Sequence, residues 1–138
     1  MIAWLLAFLW MAVILYTSSL GQAVTPVQGT MQTLVAKLGH VTEYAVLGGL
    51  LAHAVRREVA GSWMPIGYVL VAALIGGTFA AFDELRQSFV PGREPRVTDV
   101  LLDLASVTAG ALVTTWGQST VVEPSVAAST EETEEPSL

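Results

Sequence analysis

MIAWLLAFLWMAVILYTSSL, residues 1–20, and WMPIGYVLVAALIGGTFAAF, residues 63–82, decide the class of this protein, because neither contains a charged side chain. No charge precedes Lys37 at all. Each run matches the roughly 20 residues that carry a helix across a ~30 Å hydrocarbon core. Two further segments, Leu38–Val55 and Val100–Trp116, are long and apolar but interrupted by polar residues. Backbone groups in lipid must find partners within their own segment, so all four segments are expected to be helical. The expected fold is therefore an all-α membrane protein, about four transmembrane helices in a small bundle.

The whole-chain figures agree. Of 138 residues, 53% are hydrophobic and only 13% charged, about half the charged fraction of an ordinary soluble domain. The net charge of −6 is misleading, because Glu123, Glu131, Glu132, Glu134 and Glu135 supply five of the twelve acids. Seven acids and six bases remain, so the body is near neutral. A basic patch for nucleic acid is missing. With no cysteine, disulfides, thiolate metal sites and cysteine nucleophiles are excluded. The first segment lacks a basic leader, and its apolar stretch exceeds the roughly 7–15 residues of a secretory signal, so it reads as a retained helix.

Along the chain, the first helix is expected over about Ile2–Leu20. A connector with Pro26 and Gly29 follows, then a short interfacial helix from Thr30. The second helix begins near Lys37 and ends at Arg56-Arg57-Glu58, and a turn containing Gly61 and Pro65 leads to the third, ending near Gln87. Pro91-Gly92 marks a turn, and Asp99, an acid suited to the positive end of a helix dipole, opens the fourth. Residues 1–118 form the membrane domain. Residues 119–138, rich in Ser, Thr, Glu and Ala, form a tail too polar to fold. No internal repeat is visible.

Four spans put the first and third connections on one face, and the middle turn and both ends on the other. Trp4, Trp63 and Trp116 then share the second interface, as an aromatic belt would. Arg56 and Arg57 argue for a cytoplasmic middle turn, while a raw count of Lys37, Arg86, Arg93 and Arg96 argues for the opposite face. Acids neighbour those four.

A polar cluster stands out against this background. At 100° per residue, Lys37, His40, Tyr44 and Gly48 share one face within about 80°, with Glu43 about 60° further round. The third helix adds Asp83, Glu84 and Gln87, with Gly76 and Ala80 behind them. The fourth adds Asp99, Asp103 and Ser106, with Gly110 beyond. Small residues permit close helix contact, so the stripes are expected to converge. Taken singly, Lys37 reads as a snorkelling lysine, Arg86 and Arg96 as loop charges at the headgroups, and His53 as an interfacial residue. Acids within a span are different: each costs about 2.5–3.5 kcal/mol at a helix centre on insertion scales.

Arg93, with Arg86 or Arg96, offers a fork suited to phosphate or carboxylate. Asp83, Glu84, Asp99 and Asp103 suit Mg²⁺ or Ca²⁺, and His40 beside Glu43 suits a general base. No H-E-x-x-H, nucleophile elbow or P-loop occurs. His40 and His53 lie at opposite ends of one helix and cannot share a metal.

Lys37-x-x-His40-x-x-x-Tyr44-x-x-x-Gly48 resembles the first motif of the VanZ-like family. Asp83-Glu84-x-x-Gln87-x-Phe89-x-Pro91-Gly92-Arg93, followed by Asp99-x-x-x-Asp103, resembles its second. The resemblance covers roughly residues 1–116, and departs at Asp103, where the family usually has Asn, and at Ser106, where it usually has Gly. It implies a multi-pass protein of the bacterial cytoplasmic membrane, whose namesake contributes to resistance against glycopeptides of the teicoplanin type. Three functions are weighed. The first is a non-enzymatic protein that binds membrane lipids or lipid-linked envelope precursors by their headgroups. The second is an intramembrane enzyme modifying such a precursor, and the third a structural or assembly partner. The expected site is Lys37, His40, Glu43, Tyr44, Asp83, Glu84, Gln87, Arg93, Asp99 and Asp103. No resident cofactor is expected, a divalent cation such as Mg²⁺ being the one the acids would suit, and the oligomeric state is open.

Overall fold

The computed structural model describes residues 1–20, 30–59, 63–89 and 96–119. It contains four helices: α1 (Ile2–Leu20), α2 (Thr30–Glu58), α3 (Pro65–Gln87) and α4 (Val97–Ser119). Among the described residues there is no strand. Three helices are long and apolar enough to cross a membrane, over Ile2–Ser19, Pro65–Gln87 and Val97–Gln118. The fourth, α2, carries His40, Glu43, Tyr44 and His53 in its length and is the most polar of the set.

The expectation of a separate interfacial helix before Lys37 is corrected. α2 is continuous from Thr30, 29 residues in all, or about 43 Å at 1.5 Å per residue. Nothing after Gly29 breaks it, and Thr30–Ala36 contains neither Gly nor Pro. Pro65 opens α3 at its first turn, where its missing N–H is an orphan in any helix. α4 begins at Val97, two residues before Asp99, which lies in its first turn. The tail expectation falls outside the described residues, apart from Ser119 at the end of α4.

Cross-helix contacts fix the topology. Lys37 of α2 meets Asp99 of α4, His40 meets Asp103, and Arg56 reaches Gln118. Numbers rise together on both helices, so α2 and α4 run parallel. Ser18 of α1 meets Asp83 of α3, while Trp10 of α1 donates its indole N–H to the Glu43 carbonyl of α2 at 2.8 Å. α1 and α3 therefore run the same way, opposed to α2 and α4. One end of the bundle carries Ser18, Lys37, Asp83 and Asp99; the other carries Met1, Glu58, Trp63 and Gln118. The alternation inferred from the sequence holds.

α2 lies against all three other helices and packs most extensively on α4. At Gly48, an added Cβ would run into the backbone carbonyl of Val107, and at Gly110 into that of Ala45. The two helix backbones touch. Gly76 of α3 faces the Val107 methyls in the same layer, and Leu47, Leu51, Ala72 and Ala111 fill the buried surround. Lipid is as apolar as leucine, so such an assembly is held by close packing and polar contacts rather than by a hydrophobic driving force.

The polarity is inverted relative to a soluble bundle. Leu70, Leu74 and Val113 are 62%, 71% and 74% exposed, whereas Asp83 is 1% exposed. Large apolar side chains cover the outside, as lipid contact requires, and acids turn inward.

Gly48→Leu or Gly110→Leu forces α2 from α4. Overpacking costs about 1–3 kcal/mol, so both variants should melt earlier than wild type in detergent. Gly39→Ala, where an added Cβ meets nothing within 4 Å, is expected to melt no earlier.

Candidate functional site at the polar end of the bundle

Two linked groups of side chains occupy the end where α1 finishes and α4 begins. The first ties α1 to α3. Asp83 receives Ser18 Oγ at 3.0 Å on one carboxylate oxygen, and Arg86 Nη2 at 2.9 Å on the other. Gln87 Nε2 donates to Asp83 at 2.6 Å and also to Ser18 Oγ. The Arg86 guanidinium spreads over α1, donating to Ser18 Oγ at 3.1 Å, Ser19 Oγ at 2.9 Å and the Leu15 carbonyl at 3.3 Å. Arg86 thus takes up carbonyl and hydroxyl acceptors that α1 presents in its last turn. Its reading as a loop charge at the headgroups is corrected: it is a helical residue neutralising a buried acid.

The second group joins α2 and α4. Lys37 Nζ lies 3.4 Å from Asp99 Oδ1 at the rim, where both remain partly exposed. One turn inward, His40 Nδ1 stands 4.0 Å from Asp103 Oδ1, the limit of ion-pair contact. The His40 ring stacks on Tyr44 with centroids 6.1 Å apart and 14° between planes, and Tyr44 packs on Phe79 of α3. Tyr44 is completely buried, and its hydroxyl has no hydrogen-bond partner. Gln87 Oε1 is also buried without one. Phe79 lies one turn before Asp83 on α3, so Tyr44 brings the α2–α4 group against the helix that carries the other.

Glu84 connects α3 to the start of α4, its Oε1 accepting the Arg96 backbone N–H at 2.7 Å. Glu84 and Asp99 both sit at the positive end of the α4 dipole. Of the expected site, Lys37, His40, Tyr44, Asp83, Glu84, Gln87, Asp99 and Asp103 therefore assemble at one end. Glu43 is there by its backbone, holding Trp10 through its carbonyl, and its half-buried side chain joins none of the ion pairs among the described residues. Arg93 lies outside the described residues. Ser106 is buried beside Asp103, its hydroxyl turned back on the Leu102 carbonyl at 2.8 Å. His53 shares Gln118 with Arg56 at the far end, 2.9 Å from Nδ1 to Nε2, away from the site.

Chemically the cluster is a set of acceptors with bases at its edge. Asp83 is committed to Ser18, Arg86 and Gln87. Asp103 is 7% exposed and among the described residues faces only the more distant His40. Among the described residues, no three acid or imidazole groups gather closely enough to hold a metal ion. Sequence reading left out Ser18 and Trp10, which join the network from α1. A serine pair in the last apolar turn of a span, opposite an acid on another span, was the available signal.

Apolar helices and an inward-facing polar end together define a small helical membrane protein. The family described as VanZ/LLP1 matches residues 3–118, and the chain belongs to it. No curated protein and no solved structure matches the chain.

Removing Arg86 leaves Asp83 buried without its cation. Breaking a buried pair from one side costs about 3 kcal/mol, so Arg86→Ala should melt well below wild type. Arg57→Ala, an exposed change at the opposite end, should leave the melting point almost unmoved.

Proposed function

We propose that the protein is a multi-pass protein of the bacterial cytoplasmic membrane that binds, at its polar end, the headgroup of a membrane lipid or lipid-linked envelope precursor. By occupying such headgroups it alters susceptibility to glycopeptides of the teicoplanin type. The carrying observation is the graded polarity of that end. Lys37 and Arg96 are exposed at the rim, while Asp103, Tyr44 and Gln87 are buried a turn or more inside. Apolar residues on the outer faces bring lipid to the rim. Rim bases meet phosphate, and interior acceptors meet whatever the headgroup carries beyond it.

The structural reading is favoured for one part. Asp83, Arg86, Ser18 and the Gln87 amide N–H hold one another, so they fix α1 on α3 and leave ligand contact to the α2–α4 side and the free Gln87 Oε1.

Native mass spectrometry on delipidated protein titrated with phospholipid tests the reading. Wild type should retain a stoichiometric lipid adduct. The Lys37→Ala/Arg96→Ala double variant should bind about tenfold more weakly, the equivalent of about one charge-assisted contact. Equal adducts on both proteins would sink the headgroup site. In a susceptible host, expression of wild type should raise the teicoplanin concentration needed to stop growth, and the double variant should not.

A further inference from the structure

The interior of the polar end carries more acid than base. Asp103 and Glu84 face inward with Asp83, and among the described residues Asp83 alone of the three has a guanidinium in direct contact. Glu84 is satisfied by a backbone N–H. Among the described residues Asp103 has only His40 at 4.0 Å, too far for a hydrogen bond. The same imidazole stacks on Tyr44, which is fully buried and whose hydroxyl has no partner among the described residues. A buried polar atom without a partner costs about 1–3 kcal/mol, so the Tyr44 hydroxyl, which can accept as well as donate, marks with Asp103 a place for a donor-bearing group.

A phosphate cannot be that group, because three carboxylates would repel it. A metal ion is disfavoured, because no three ligating groups converge among the described residues. A primary ammonium suits the place: it is a cation, it needs no fixed coordination geometry, and its N–H groups serve both a carboxylate and a phenolic oxygen. A quaternary ammonium brings charge but no N–H. The rim is richer in base, with Lys37 and Arg96 exposed and Asp99 beside Lys37 as its one acid among the residues named here. His40 lies three residues inward of Lys37, about 5 Å along α2. Anion-binding rim and cation-binding interior are thus spaced like the two ends of one zwitterionic headgroup.

We propose that the polar end binds the headgroup of an amine-bearing phospholipid of the phosphatidylethanolamine kind, its ammonium on Asp103 beside Tyr44 and its phosphate at Lys37 and Arg96. This inference rests on the headgroup reading above and names its ligand class. Asp103 and Tyr44 select the amine, and the rim accepts any phospholipid. Tyr44→Phe removes one oxygen and nothing else, so it should relieve the unpartnered hydroxyl and raise the melting point of the lipid-free protein. The same variant should weaken amine binding, an opposition that a merely structural tyrosine would not produce.

The experiment is a competition measured by native mass spectrometry on the full chain in detergent. The probes are phosphatidylethanolamine, phosphatidylcholine and phosphatidylglycerol with identical acyl chains. Phosphatidylethanolamine should bind about tenfold more tightly than either other lipid, the value of one charge-assisted hydrogen bond. Asp103→Asn, nearly isosteric, should erase that preference. Equal binding of all three lipids to wild type overturns the amine assignment while leaving a headgroup site in place, and needs no variant to fold. Preference retained in Asp103→Asn overturns the role of Asp103. Absence of any lipid adduct removes the headgroup reading itself.

Discussion

Contact between the backbones of α2 and α4 sets everything else in this bundle. Gly48 and Gly110 each lie where a side-chain carbon would strike the other helix's main chain, so the two parallel helices close to the shortest approach available. That approach fixes their register. Lys37 then falls opposite Asp99, and His40 opposite Asp103. At the far end, His53 and Arg56 fall opposite Gln118. α3 closes the layer by placing Gly76 against Val107, and its last turn then delivers Asp83, Glu84 and Gln87 to the same end. α1 is added last in this sense. It is held on α2 by Trp10 and on α3 by Arg86.

Such a design answers the particular problem of folding in lipid. Apolar surface drives nothing there, and an uncompensated polar group is expensive. The chain uses both facts. Alanines and glycines supply close packing in the middle, and charged or hydroxylated residues supply directed contacts at the ends. Most of those contacts are satisfied within the bundle. Among the described residues the exceptions, the Tyr44 hydroxyl and Gln87 Oε1, lie at one end, with Asp103 4.0 Å from His40 nearby. Unmet hydrogen-bonding capacity is thereby gathered, among the described residues, at the end where the proposed headgroup site lies.

Much of the fold is legible in the sequence because lipid imposes a simple rule on length and charge. The charge-free runs locate α1 and α3, and the spacing of Lys37, His40, Tyr44 and Gly48 gives the buried face of α2. Asp99 and Asp103 mark α4 in the same way. The early start of α2 at Thr30 is less visible, since residues 30–36 are neutral and carry no cap signal that distinguishes a separate helix from a continuous one. Partner choice is not visible at all. Nothing in periodicity says that Arg86 turns back on Asp83 and reaches α1, or that Ser18 completes the same network; both depend on how α1 and α3 meet in space. Trp10 was hidden for the same reason, being one more aromatic residue in an apolar run.

The orientation of the polar end joins structure to function. Arg56 and Arg57 lie at the opposite end with the Trp63 and Trp116 side chains, and the proposed function puts that end in the cytoplasm and the polar end outside. The chain has no cysteine, which makes a direct measurement clean. A single cysteine is placed at Gly92, between α3 and α4, or at Gly61, between α2 and α3, and whole cells are treated with a membrane-impermeant thiol reagent. Labelling at 92 and not at 61 is the result predicted here. Labelling at 61 alone would put the polar end in the cytoplasm and contradict an outward-facing headgroup site, and labelling at both would contradict the placement of the two connections at opposite faces.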